Sequence, residues 1–141
     1  MTSASIRGVL ETALYVADPD VSHHFYERVF GCTEIMREEC RMRALSIPGG
    51  QVLLLFEVGK SIQPTMTEGG LIPAHDGRGI LHLAFEIEDS QIEPWRLRLS
   101  DLGIPIESEV DCPNGGHSIY FRDPDGHSIE VVTRECWMGR S

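Results

Sequence analysis

Three side chains carry the first chemistry to look for in this chain: Glu11, His82 and Glu130. The first two hold matching places in an internal repeat. Leu10-Glu11-Thr12-Ala13-Leu14-Tyr15-Val16-Ala17-Asp18 and Leu81-His82-Leu83-Ala84-Phe85-Glu86-Ile87-Glu88-Asp89 are alternating apolar runs that end at Asp, and Glu11 and His82 each stand seven residues before it. Both side-chain types bind metals, and their symmetric placement suggests one site between two halves. Glu130 follows the turn Asp123-Pro124-Asp125-Gly126 and alternates with Ile129 and Val131, so it shares a strand face with Ser128 and Val132. A carboxylate among apolar strand residues is expensive to bury unless it is paired or metal-bound. A shared cation would offset that cost for Glu11 and Glu130 together.

Each candidate also has a plainer reading. His82 alone suits a satisfied core histidine, Glu11 a partner for an arginine, and Glu130 an exposed strand end. Glu86 lies four residues after His82 on the same face and is either an outer partner or base of the site, or a solvated edge residue. His117, beside Gly115-Gly116, and His75 are loop residues that become acids or bases if a loop closes over substrate. His23 and His24 read as surface positions on a helix, and Tyr15 and Tyr120 as cleft-lining or structural tyrosines.

Two similar modules must position these groups. In the first, residues 8–58, the strand ending at Asp18 leads into a helix with Asp18 as N-cap, Pro19 in its first turn and Gly31 as its stop, followed by strands near 41–47 and 51–58. Residues 59–79 carry Gly, Pro and Thr without periodicity and read as a linker, or a loop over the site. The second module, residues 80–134, repeats the plan: a helix after Asp89 carrying Ile92, Trp95, Leu99 and Leu102, a stop at Gly103, and strands near 106–109, 118–122 and 128–133. Trp137 is expected to pack at the C-terminus. The fold class is α+β: two tandem βαβββ modules forming a curved, cleft-enclosing mixed sheet with helices outside, within one domain.

Composition narrows the partners. The formal charge of −10, from 22 acidic and 12 basic residues, argues against nucleic acid and offers no basic patch to anionic membranes. It suits a cationic ligand. Cys32, Cys40, Cys112 and Cys136 show no C-x-x-C spacing, and with no leader-like run ahead of them they read as free thiols of a reducing, cytoplasmic compartment. No apolar run approaches the ~20 residues that a spanning helix needs.

On the runs Leu10–Asp18, Phe25-Tyr26-Glu27-Arg28-Val29-Phe30-Gly31, Leu81–Asp89 and Phe121-Arg122-Asp123-Pro124-Asp125-Gly126-His127-Ser128-Ile129-Glu130, the chain resembles the vicinal oxygen chelate superfamily. That superfamily includes glyoxalase I, extradiol dioxygenases, fosfomycin-resistance proteins and bleomycin-resistance proteins. The resemblance implies Glu11, His82 and Glu130 as ligands of a divalent metal (Mn, Fe, Zn, Ni, Co or Mg), with Glu130, Glu86 and His117 as candidate catalytic groups. One departure stands out: four residues after Gly50, at the counterpart of Glu130, is Leu54, while Glu57 has the opposite strand parity. A four-ligand site of the glyoxalase I type is therefore not expected. The resemblance implies a lyase, isomerase or group transferase acting on a small oxygenated substrate that chelates the metal. The alternatives are a non-catalytic drug-binding protein of the bleomycin-resistance type and an extradiol-type dioxygenase. It also implies a homodimer. Few basic residues lie near the expected cleft, and most of Arg41, Arg43 and Arg122 are expected to pair with local carboxylates. The substrate is therefore expected to be weakly charged.

Overall fold

The computed structural model describes residues 2–138. The chain is α+β and divides into two compact units, Met1–Arg78 and Gly79–Ser141. The first contains β1 (Glu11–Val16), α1 (Pro19–Phe30), β2 (Thr33–Glu38), β3 (Met42–Ile47), β4 (Gln51–Glu57) and a hairpin of β5 (Thr65–Thr67) and β6 (Gly70–Ile72). The second contains β7 (His82–Ile87), α2 (Ile92–Asp101), β8 (Ser108–Asp111), β9 (His117–Arg122), β10 (Ser128–Thr133) and a short α3 (Glu135–Met138). The two sheets have the same topology, β1-β4-β3-β2 and β7-β10-β9-β8. In each, the first strand runs parallel to the last and the remaining pairs are antiparallel.

Local rules account for most elements. Asp18 accepts a hydrogen bond from Asp20 N at 2.9 Å, Pro19 opens α1, and Gly31 closes it in the left-handed conformation, φ 71°. The period-2 pattern sends Leu14, Val16, Leu53 and Leu55 to one face of the first sheet, all fully buried or nearly so, along with Phe25, Tyr26 and Val29 of α1. Phe121, Ile119, Ile129 and Val131 do the same in the second unit, with Leu99 of α2 at 0% exposure.

Several expectations need correction. Thr33–Glu38 adds a strand that the sequence pattern does not mark, because it is an edge strand with a register shift between Glu34 and Met36 and mostly solvent-facing side chains, which blurs its alternation. Residues 59–79 are not a bare tether, since they hold the β5–β6 hairpin. Asp89 does not cap α2 as Asp18 caps α1; a 3-10 turn over Asp89–Gln91 intervenes, with no side-chain cap. Trp137 is 81% exposed in the chain rather than packed. His23 is buried, its ring between Glu27 at 3.3 Å and Glu34 at 3.8 Å.

The cysteines also differ from expectation. Cys112 and Cys136 form a disulfide across a sequence separation of 24, leaving Cys32 and Cys40 free. The loop after β8 and the start of α3 meet only in the fold, so nothing in linear spacing announces the pair. A Cβ on Gly116 would lie 2.5 Å from Cys136 N, so this close approach requires glycine. Burial pushes the Cys32 thiol up to about 11, which leaves it inert as a nucleophile.

Candidate metal and substrate site

In the second unit, parallel pairing sets Ser128 opposite His82 and Glu130 opposite Ala84, and antiparallel pairing sets Glu130 opposite Tyr120. One sheet face thus gathers His82, Ser118, Tyr120, Ser128 and Glu130. His82 Nε2 lies 3.2 Å from Glu130 Oε1. The other ring nitrogen, Nδ1, lies 2.9 Å from the Ser128 carbonyl oxygen. A carbonyl only accepts, so Nδ1 carries the hydrogen, and in the neutral ring Nε2 turns a lone pair toward the carboxylate. Two electron-rich atoms at that separation call for a cation or a proton between them.

Glu130 is 7% exposed, and its second oxygen accepts from the Ser118 hydroxyl. Ser118 is itself buried. Burial, and then the Glu130 charge, raise the Tyr120 phenol above its ordinary value, so Tyr120 stays neutral beside the carboxylate. An imidazole steadied by a carbonyl and a buried carboxylate steadied by a hydroxyl make a donor set that fits a divalent ion.

His127 positions this pair from the turn. Asp123 Oδ1 accepts from Asp125 N and His127 N, both at 2.9 Å, and His127 Nδ1 accepts from Leu81 N at 2.9 Å. The turn is thereby tied to the start of β7, next to His82. Asp123, Asp125 and His127 bring possible ligand atoms within 4.8 Å of one another, but Asp123 Oδ1 and His127 Nδ1 are already engaged in backbone hydrogen bonds that shape the turn.

The other catalytic candidates are engaged elsewhere. Glu86 is exposed and accepts from Arg134 Nε and Nη2 at 2.8 and 2.7 Å, and Arg134 lowers its pKa. His117, read from sequence as a loop residue, opens β9, alternates with Ser118 and so lies on the α2 side of the sheet, the face away from Glu130. There its Nδ1 lies 2.8 Å from Asp111 and its Nε2 2.6 Å from Glu109, with Arg96 of α2 at 3.4 Å. Burial alone would lower the His117 pKa, but the two carboxylates outweigh it and raise it.

Glu11 belongs to the first unit, exposed at the start of β1. It stands opposite Val52 as His82 stands opposite Ser128, so Leu54 occupies in the first sheet the place of Glu130 in the second. Glu57 pairs with Val16 and alternates with Phe56, which sets it on the other face. Glu11 and Leu54 lie on the wall of an open pocket of about 560 Å³ within this unit. His75, read from sequence as a loop residue, forms part of that wall: its Nδ1 is 2.8 Å from the Tyr15 hydroxyl and its ring is edge-on to Phe56 at 4.4 Å. The three arginines pair as expected, Arg41 with Glu38 at 2.6 Å, Arg43 with Asp20 at 2.6 Å and Arg122 with Glu107 at 2.8 Å. No helix among the described residues is long and apolar enough to cross a membrane.

Known proteins resemble this chain in sequence and fold. Residues 8–131 match the family model described as Glyoxalase/Bleomycin resistance protein/Dioxygenase superfamily. The chain is 31% identical over 134 residues to metallothiol transferase FosB of Bacillus licheniformis, covering 94% of this chain and 79% of the relative. It is 27% identical over 132 residues to fosfomycin resistance protein FosX of Listeria innocua, covering 89% of each. Among solved structures, lactoylglutathione lyase from Agrobacterium tumefaciens superposes with a TM-score of 0.87 at 32% identity, over 96% of this chain and 99% of that one. FosX from Listeria monocytogenes, complexed with Mn(II) and 1S,2S-dihydroxypropylphosphonic acid, superposes at 0.67 and 26% identity, over 94% and 95%. The family model spans most of the chain, and the chain belongs to the glyoxalase/bleomycin resistance protein/dioxygenase superfamily.

Proposed function

We propose that this protein is a divalent-metal-dependent enzyme of the group-transferase or lyase type, acting on a small oxygenated substrate. The observation that carries the reading is the His82 Nε2 to Glu130 Oε1 approach, with the far atoms of both side chains held by Ser128 O and Ser118 Oγ. His82 and Glu130 are two of the metal's ligands, and Glu11 is the third, from the same chain or from a partner. When bound, the ion supplies a Lewis acid for an oxygen of a chelating substrate. The chain's own contribution is orientation. Ser118 keeps the Glu130 carboxylate aimed at His82, the carbonyl of Ser128 fixes the ring tautomer, and the neutral Tyr120 phenol offers a hydrogen bond next to the carboxylate.

The relative named metallothiol transferase favours a group transfer involving a thiol, which we take to be addition of the thiol to an electrophilic carbon. In that reaction the thiolate sulfur forms a bond to carbon, the carbon–oxygen bond opens, and the released oxyanion takes up a proton. We infer a homodimer, since β1 and β7 are edge strands with an unpaired ladder side.

Elemental analysis of protein purified without chelator tests the site. Stoichiometric divalent metal is expected, lost in Glu11→Gln, His82→Ala and Glu130→Gln. Thiol consumption with an epoxide panel, with and without EDTA, tests the reaction. Unchanged metal content in all three variants would refute the ligand assignment. Ligand capture that survives complete metal removal, without turnover, would point instead to sequestration. A monomer by sedimentation at micromolar concentration would remove the dimer.

A further inference from the structure

We propose that the open face of the first unit's sheet is a binding site for an uncharged aromatic or branched-aliphatic arm of the substrate, ending in a hydrogen-bond acceptor that Arg41 receives. The proposal rests on the metal reading for its orientation, with Glu11 at the metal end. The pocket itself stands on the geometry of this unit alone.

The floor follows from strand register. Ala13 pairs with Leu54, and Leu54 pairs with Ala44, so two alanines flank one leucine across three strands. The next row toward the rim is Tyr15, Phe56 and Met42, paired in the same way. Ala44 is buried, and Ala13, small beside Leu54, Tyr15 and Phe56, leaves a hollow in the wall of the pocket of about 560 Å³. Tyr15 and Phe56 are stacked, centroids 6.0 Å apart, and form its far end.

The wall over that end is held in place. His75 N donates to Ser61 O at 2.9 Å, and Gly59 N donates to Asp76 Oδ1 at 3.0 Å. Gly77 lies so close to Tyr15 that a Cβ there would sit 2.4 Å from the ring. A fixed aromatic enclosure of this kind favours a rigid apolar body over a flexible polar one.

Charge decides the end group. The Arg41 guanidinium lies 5.6 Å from the Phe56 ring centroid. Its Nε donates to Glu38 Oε2 at 2.6 Å and its Nη1 to Ser61 Oγ at 2.9 Å, while no acceptor among the described residues takes Nη2. Glu38 already compensates the positive charge. A carbonyl or hydroxyl oxygen can accept from Nη2 without adding charge, whereas a phosphonate would face Glu38 and be desolvated against Met42 and Phe56.

Length sets the size of the substrate. Glu11 and Tyr15 share a face four residues apart, about 13 Å along the strand. A propyl group such as that in the FosX complex is far shorter. The geometry therefore fits a substrate with a body beyond its chelating head.

The test uses two probe sets. In chelator-treated protein, saturation-transfer NMR with 4-phenylbutan-2-one should show binding, weakened about tenfold or more by Ala13→Leu, which fills the hollow, and by Met36→Trp at an exposed position on its edge. 4-Phenylbutylphosphonate should bind about tenfold more weakly than the ketone. In Mn²⁺-loaded protein, 3-phenylpropanohydroxamic acid should bind about tenfold more tightly than acetohydroxamic acid, and Ala13→Leu should erase that gain. Circular dichroism verifies that each variant is folded. No binding of the ketone to wild type, indifference to both substitutions, or preference for the phosphonate would overturn the pocket. Ketone binding with the expected sensitivity, but no response of either hydroxamate to Mn²⁺, would uphold the pocket and refute the metal reading instead.

Discussion

Replacing Ser118 by alanine removes a hydrogen bond to Glu130 at the centre of the proposed metal site, along with its contact to the Tyr120 phenol. Ser118 is 2% exposed, and its hydroxyl donates to Glu130 Oε2, with a hydrogen-bond contact to the Tyr120 phenol and a distant one to Cys136 Sγ at 3.9 Å. A hydrogen bond to a charged group contributes about 1.5–3 kcal/mol. Residues that hold a ligand in place typically change metal affinity by about 10–100-fold. Those ranges agree, since ~1.4 kcal/mol is a factor of ten. The Ser118→Ala variant should therefore bind Mn²⁺ about 10–100-fold more weakly in competition with a chromophoric chelator, while retaining its fold.

The structure supplies its own control. Ser128 lies on the same face, but it holds His82 through its backbone carbonyl rather than its hydroxyl. Ser128→Ala should leave Mn²⁺ affinity within about twofold of wild type. Wild-type affinity in Ser118→Ala would refute the reasoning, as would an equal loss in both variants.

Three further outcomes follow from the geometry. Leu99→Ala should destabilise the protein by about 2–5 kcal/mol in urea, because Leu99 is the one fully buried side chain of α2; a loss under about 1 kcal/mol would show that α2 does not anchor the second unit. His117 has a raised folded pKa, so its pairing with Glu109 and Asp111 stabilises the fold below the unfolded value of 6.5 and is lost as pH rises through the higher folded value. The stability advantage of wild type over His117→Asn should accordingly shrink with increasing pH, from about pH 5 to 9, and a flat or rising difference would contradict the assignment. Thiol titration of oxidised, denatured protein should find two free cysteines, Cys32 and Cys40, and reduction of the Cys112–Cys136 bond should lower stability by about 3 kcal/mol; four free thiols before reduction would show the bond absent.

Sequence by itself determined what short-range rules govern. Asp18, Pro19 and Gly31 delimit α1 because caps and φ preferences act over a few residues. Alternation set Glu11 with Ala13 and Tyr15, and Glu130 with Ser128 and Val132, because strand parity is local. The repeat and the Asp-Pro-Asp-Gly turn were legible for the same reason, whereas the faces of His117 and Glu130 follow only from the β9–β10 register. What required the folded chain were contacts between residues far apart in sequence. The β7–β10 pairing brings His82 to Glu130, and it cannot be deduced from either strand alone. His75 meets Tyr15 across 60 residues, and His127 reaches Leu81 across 46. Cys112 and Cys136 meet because a loop and a helix start converge. Each of these pairings depends on how whole elements pack, and pattern within a single segment carries no information about that.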